Sequence, residues 1–163
     1  MNRNVLFLCT GNSARSLMAE ALLGVIGAGR FTAFSAGSHP TGRVQPLAAG
    51  LAAELGYPPQ RLRSKAWDEY AAPGAPEMDF VITVCNGAAG EACPIWPGHP
   101  AIAHWGVADP AAVEGSAQTR RAAYEHAWSV LRQRVERLVA LPDEVLDGPG
   151  AQAALRRIGR ETP

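Results

Sequence analysis

A chain of 163 residues with 47% apolar content is long enough for one domain that buries roughly two-thirds of the surface its unfolded form would expose. Lys plus Arg and Asp plus Glu balance at 15 each, which excludes an overall basic footprint for nucleic acid or an acidic membrane, so any preference for anions has to be local. No stretch approaches the roughly 20 apolar residues of a spanning helix, and the apolar run up to Leu8 is too short for a secretory signal, so a cytoplasmic location is expected.

Three cysteines, an odd number in a reducing compartment, speak for reactive or metal-binding thiols rather than a disulfide framework. Neither a Cys-x2-Cys nor a His-x3-His spacing for zinc occurs.

The first element is an apolar strand from Asn4 to Leu8 that stops at Cys9, followed by a short loop and an amphipathic helix from about Ser13 to Leu23. Backbone N–H groups turning into a helix start converge on one spot, where the helix dipole adds partial positive charge. The loop Thr10, Gly11, Asn12, Ser13, Ala14 and Arg15 is therefore read as a seat for a tetrahedral oxyanion. Arg15 offers a planar fork to two of its oxygens, at roughly 1.5 to 3 kcal/mol per charge-assisted hydrogen bond. The same field is expected to lower the Cys9 pKa from about 8.5 to about 6, making the thiolate a nucleophile aimed at the bound oxyanion. A lone cysteine at a strand end is more often a small buried hydrophobe. Cys-x5-Arg-Ser between a strand and a helix reverses that preference.

Gly27 to Gly29 breaks the helix, and Arg30 to Gly37 alternates as a second strand. A helical stripe runs from Val44 to Leu55 and closes at Gly56. Pro58 to Ser64 is turn-like, Ala66 to Tyr70 makes one helical turn, and Pro73 to Pro76 is a loop. Phe80 to Val84 is a continuous apolar strand, the mark of burial on both faces, and ends at Cys85. Asn86 to Pro100 has no periodicity and reads as a long functional loop holding Cys93. Ala101 to Trp105 is the fourth strand, followed by Asp109-Pro110, which in isolation is an ordinary turn starter. A long helix spans Ala117 to Leu141, Pro142 ends it, and a short helix covers Ala151 to Ile158.

Alternating strands and helices predict an α/β fold: a three-layer α/β/α sandwich around a four-stranded parallel sheet of order 2-1-3-4. Residues 1–163 are expected to form one catalytic domain with a helical extension from about 143. The ligand crevice of such a sheet lies at the carboxyl ends of strands one and three. Cys9 and Cys85 end those strands, so two thiols distant in sequence are expected above one crevice.

Cys9-x5-Arg15-Ser16, then Val84-Cys85, Cys93-Pro94, Pro97, His104-Trp105-Gly106 and Asp109-Pro110-Ala111 together resemble the low-molecular-weight tyrosine phosphatase superfamily, and within it the redox-coupled arsenate reductases. The resemblance runs from about Val5 to about Leu141. It implies Cys9 as nucleophile, Arg15 as oxyanion clamp, Ser16 as hydroxyl partner of the thiolate and Asp109 as general acid. Cys85 and Cys93, either of which alone could be an idle thiol, become a relay that resolves the species on Cys9. The implied substrate is arsenate or a phosphate-like oxyanion, and the implied partner is thioredoxin or another thiol donor, with no nucleic acid, no membrane and no tightly bound cofactor. Asn12, Glu20, Ser35 and Asp68 resemble residues that hold a potassium ion beneath the loop in some reductases, and all four carry oxygen ligands suited to a hard cation.

Two other functions share the loop. A tyrosine phosphatase would use Cys9 and Asp109 through a phosphocysteine, but usually carries aromatic residues after the Asp-Pro pair, where this chain has Ala111-Ala112. A non-catalytic oxyanion binder or peroxide sensor would leave Asp109 incidental.

Overall fold

A computed structural model describes residues 2–85, 96 and 98–161. Four strands, β1 (Arg3–Cys9), β2 (Phe31–Gly37), β3 (Phe80–Thr83) and β4 (Ala101–His104), form one parallel sheet in the order β2-β1-β3-β4. The helices are α1 (Arg15–Ile26), α2 (Pro46–Leu55), α3 (Asp68–Ala71), α4 (Ala117–Val139), α5 (Asp143–Leu146) and α6 (Ala151–Glu161).

Strand alternation assigns the two faces. Phe7 pairs with Ser35, whose hydroxyl bonds Glu20 of α1, and packs on Trp105. Leu6 pairs with Phe34, whose ring meets Tyr70 of α3 at 5.4 Å. α1 and α4 thus cover one face and α3 lies on the other. Val5 to Leu8 are fully buried because β1 is central and covered on both sides.

Element boundaries fall within about three residues of the expected ones, and each difference has a local cause. α1 starts at Arg15 rather than Ser13 because Ala14 sits at φ −138, ψ −76, outside the helical region. α2 starts at Pro46, whose fixed φ suits the first turn and whose missing N–H costs nothing there. α6 continues to Glu161, which pairs with Arg157 one turn back and with Arg137 of α4 at 2.8 Å. The segment before it is tied to the start of the sheet: Arg3 donates to both carboxylate oxygens of Asp147, at 2.9 and 2.8 Å, and Arg30 reaches Asp143. Among the described residues no helix is long and apolar enough to cross a membrane.

Candidate active site

The loop between β1 and α1 is shaped by where its carbonyls go. Thr10 O accepts from His39 N, Gly11 O from Thr41 N and the Ser64 hydroxyl, and Ser13 O from Gln45 N, all at 2.9–3.1 Å. With the carbonyls tied to the segment that follows β2, the N–H groups of Gly11, Ser13, Ala14 and Arg15 have no acceptor among the described residues. Those donors at a helix start are what an oxyanion needs.

Asn12 holds the turn. It is fully buried, with Nδ2 donating to Ser16 Oγ at 2.7 Å and Oδ1 accepting from Lys65 N at 2.9 Å. Gly37 makes the close approach possible, since a Cβ there would lie 2.5 Å from Thr10 O and 3.0 Å from Asn12 N.

Cys9 lies under this loop, 2% exposed, its Sγ 2.8 Å from Ser16 Oγ and accepting from Asn12 N at 3.2 Å. Cys85 lies at the neighbouring strand tip, buried, its Sγ accepting from Thr10 N at 3.2 Å. The two thiols interact directly, and this contact changes one expectation. The Cys85 thiol and burial push the Cys9 pKa well above the ordinary thiol value, while the Ser16 hydroxyl pulls it down. The expected fall is overturned: the dipole argument counted the loop's positive field but not the burial and neighbouring thiol that the fold imposes.

Arg15 donates from Nη1 to Val107 O at 3.1 Å and places Nη2 3.6 Å from Asp109 Oδ2. Asp109 stands on the loop after β4, where its carboxylate accepts from Ala111 N at 3.0 Å and caps the short turn Pro110–Ala112. Thr10, Arg15, Cys85 and Asp109 line one cavity of about 710 Å³. The structure therefore brings together Cys9, Arg15, Ser16, Cys85 and Asp109. Cys93 lies outside the described residues.

The potassium set is only partly assembled. Ser35 donates to Glu20 Oε1 at 2.6 Å and Asn12 sits alongside, but Asp68 is exposed at the start of α3. A charge already serves the carboxylate: Lys65 Nζ, 7% exposed as a residue, lies 3.9 Å from Glu20 Oε1, 3.4 Å from Ser35 Oγ and 2.6 Å from Arg63 O. Tyr57 donates its hydroxyl to the other Glu20 oxygen. Burial lowers the Lys65 pKa and Glu20 opposes that. These donors do not fit a potassium ion, because an ammonium fills its electrostatic role. Sequence reading missed Lys65, although it is the only lysine in the chain and that singularity was a signal. Arg160, which also lines the cavity, carried none.

Comparison with known proteins agrees with this geometry. The family model described as low molecular weight phosphotyrosine protein phosphatase matches residues 4–147. An arsenate reductase from Bacillus licheniformis is 33% identical over 135 residues, 83% of this chain and 94% of that protein. The crystal structure of an arsenate reductase from Archaeoglobus fulgidus superposes with a TM-score of 0.65 at 29% identity, over 84% of this chain and 99% of that one. An arsenate reductase in a phosphate-binding state gives the same score and identity over 85% of this chain and 97% of the other.

Proposed function

The chain belongs to the low molecular weight phosphotyrosine protein phosphatase family, and within it we propose an arsenate reductase, which converts arsenate to arsenite with electrons from its own thiols. The observation that carries this reading is the contact of two buried thiols, Cys9 and Cys85, at the tips of adjacent parallel strands beside an oxyanion loop. Hydrolysis through a phosphocysteine needs the first thiol and has no use for the second.

Arsenate seats on the N–H groups of the loop, with Arg15 turning from Val107 O and Asp109 to its oxygens. Cys9 gives its thiol proton to the bound arsenate dianion and attacks arsenic as the thiolate, one As–O bond breaks, and Asp109 supplies the proton with which that oxygen leaves as water. Cys85 as thiolate then attacks Cys9 Sγ. An S–S bond forms, the S–As bond breaks, and its electron pair stays on arsenic, which departs as arsenite. Two sulfurs are oxidised and arsenic gains two electrons. Exchange with Cys93 moves the disulfide to Cys85 and Cys93 and restores the Cys9 thiolate. A dithiol donor of the thioredoxin kind reduces that pair, and the reading takes the enzyme as a cytoplasmic one of a single catalytic domain.

The phosphatase reading is weaker because Ala111 and Ala112, exposed in the turn after Asp109, offer no ring to a tyrosyl phosphate. The test is arsenite formation with thioredoxin, its reductase and NADPH. Arsenite equal to NADPH consumed is expected. No NADPH consumption with any thiol donor, beside efficient turnover of an aryl phosphate, would give the site to the phosphatase.

A further inference from the structure

The cavity has a wall that the family model does not reach. Its match ends at 147, and α6 (Ala151–Glu161) lies beyond it, packed against the edge strand β4. Leu155 and Ile158 are buried, Trp105 Nε1 donates to Leu155 O at 2.9 Å, Ile102 N donates to Gln152 Oε1 at 2.9 Å, and Arg156 Nε reaches Ile102 O at 3.2 Å.

The fit is tightest at the end that matters. A Cβ on Gly159 would lie 2.4 Å from His104 O and 2.7 Å from Trp105 Cδ1, so glycine lets the last turn touch the carboxyl end of β4, on the side of the sheet where the loop opens. Gly159 and Arg160 therefore line the same cavity as Thr10, Arg15 and Asp109.

The arginines of this helix are differently employed. Arg156 holds a carbonyl of β4 and Arg157 pairs with Glu161. Arg160 has no hydrogen-bond or ion-pair partner among the described residues. The carbonyls at a helix C-terminus carry partial negative charge and would repel an anion. A guanidinium at that position opposes that repulsion.

We propose that Arg160 is a second cationic contact for the tetrahedral oxyanion, a specificity-determining residue supplied from outside the family core, which captures arsenate or phosphate at the mouth and passes it to Arg15. For arsenate the proposal rests on the function given above; for phosphate it does not. An exposed charge in a cleft acts through focused, salt-sensitive attraction, so its signature is in binding rather than in the chemical step.

The experiment uses the full chain with Arg160→Gln, Arg160→Glu and Arg160→Lys, and Arg157→Gln as a control of equal charge change. Inorganic phosphate affinity is measured by titration calorimetry at low and high salt, and arsenate KM and kcat by arsenite formation. Arg160→Gln should weaken phosphate binding and raise arsenate KM by about 3- to 10-fold at low salt, with kcat within about twofold. The glutamate variant should be weaker still, lysine should restore most of the loss, and Arg157→Gln should change little. An unchanged phosphate affinity in both Arg160→Gln and Arg160→Glu, or an equal loss in Arg157→Gln, overturns the proposal. Phosphate binding that responds as expected in a protein that makes no arsenite keeps the proposal and removes the arsenate reading.

Discussion

Lys65 sets its ammonium 3.9 Å from the carboxylate of Glu20 beneath the oxyanion loop, with the Ser35 hydroxyl in contact with both. Its backbone N–H also holds Asn12 Oδ1, so one residue braces the loop and supplies charge under it. Activity and thermal stability of the wild type should be equal in sodium and potassium buffers. Lys65→Met leaves the Glu20 charge buried and unpaired, a loss of about 3–5 kcal/mol, measurable by denaturant unfolding, and part of it should return in potassium. As the only lysine, Lys65 should also resist an amine-reactive reagent in the folded protein, which peptide mapping reads directly.

The Cys85 thiol and burial push the Cys9 pKa up. A raised pKa leaves less thiolate at neutral pH, so the rate of Cys9 alkylation by iodoacetamide should climb as pH rises, with its midpoint above that of an ordinary thiol. Cys85→Ala removes the largest cause and should move the midpoint down, whereas Ser16→Ala removes a hydroxyl that lowers it and should move it up. A wild-type midpoint below that of a free thiol would contradict this account.

Asp109 faces the same cavity as Arg15 and has its carboxylate fixed by Ala111 N. Asp109→Asn should lower kcat for arsenate by about 10²- to 10⁴-fold, the usual worth of a positioned proton donor. A small aryl phosphate with a good leaving group needs less protonation and should suffer less. An equal loss on both substrates would mean that Asp109 acts through Arg15 rather than as an acid.

Thiol order can be read from trapped products. Cys93→Ser should complete about one turnover and stop with Cys9 joined to Cys85, while Cys85→Ser should stop at the arsenic adduct on Cys9. Mapping the peptides after a single turnover separates the two. Cys9 joined to Cys93 in the wild type would exchange the roles of the second and third thiols.

Gly37 carries the loop from below, and a methyl group there would meet Thr10 O at 2.5 Å. Gly37→Ala should cost about 1–3 kcal/mol of stability through overpacking and should weaken phosphate binding more than an equally destabilising change elsewhere, since it displaces the loop itself. Calorimetric titration against phosphate, compared with a core variant of matched melting temperature, is the check.

Much of this was legible in the sequence because it is written in local periodicity. An apolar run ending at Cys9, a helical stripe after it and a fixed Cys-x5-Arg spacing place Cys9, Arg15 and the loop between them, and the alternation of strands and helices gives the neighbourhood of β1 and β3 that brings Cys85 to Cys9. What escaped depends on contacts made across the chain. Asp68 has the right oxygen for a cation but ends on an exposed helix start, and Lys65 three residues earlier is turned inward, a choice no periodic pattern records. The direction of the Cys9 pKa was misread because it depends on what lies around the sulfur. Arg160 enters the cavity only because Gly159 lets a distant helix close on β4.

The clamp between Arg3 and Asp147 bears on how the protein is made. β1 is an inner strand of the sheet and precedes its partners β2 and β3 in the sequence, and β3, α4 and the carboxylate that fastens Arg3 all lie far downstream. During vectorial synthesis the strand that ends at Cys9 therefore waits for the segment that carries Asp147. During that wait Cys9 and Cys85 lack the burial the finished fold gives them, and both thiols stand open to oxidants. Protection of the two thiols is therefore needed first by the nascent chain, before the fold can supply it.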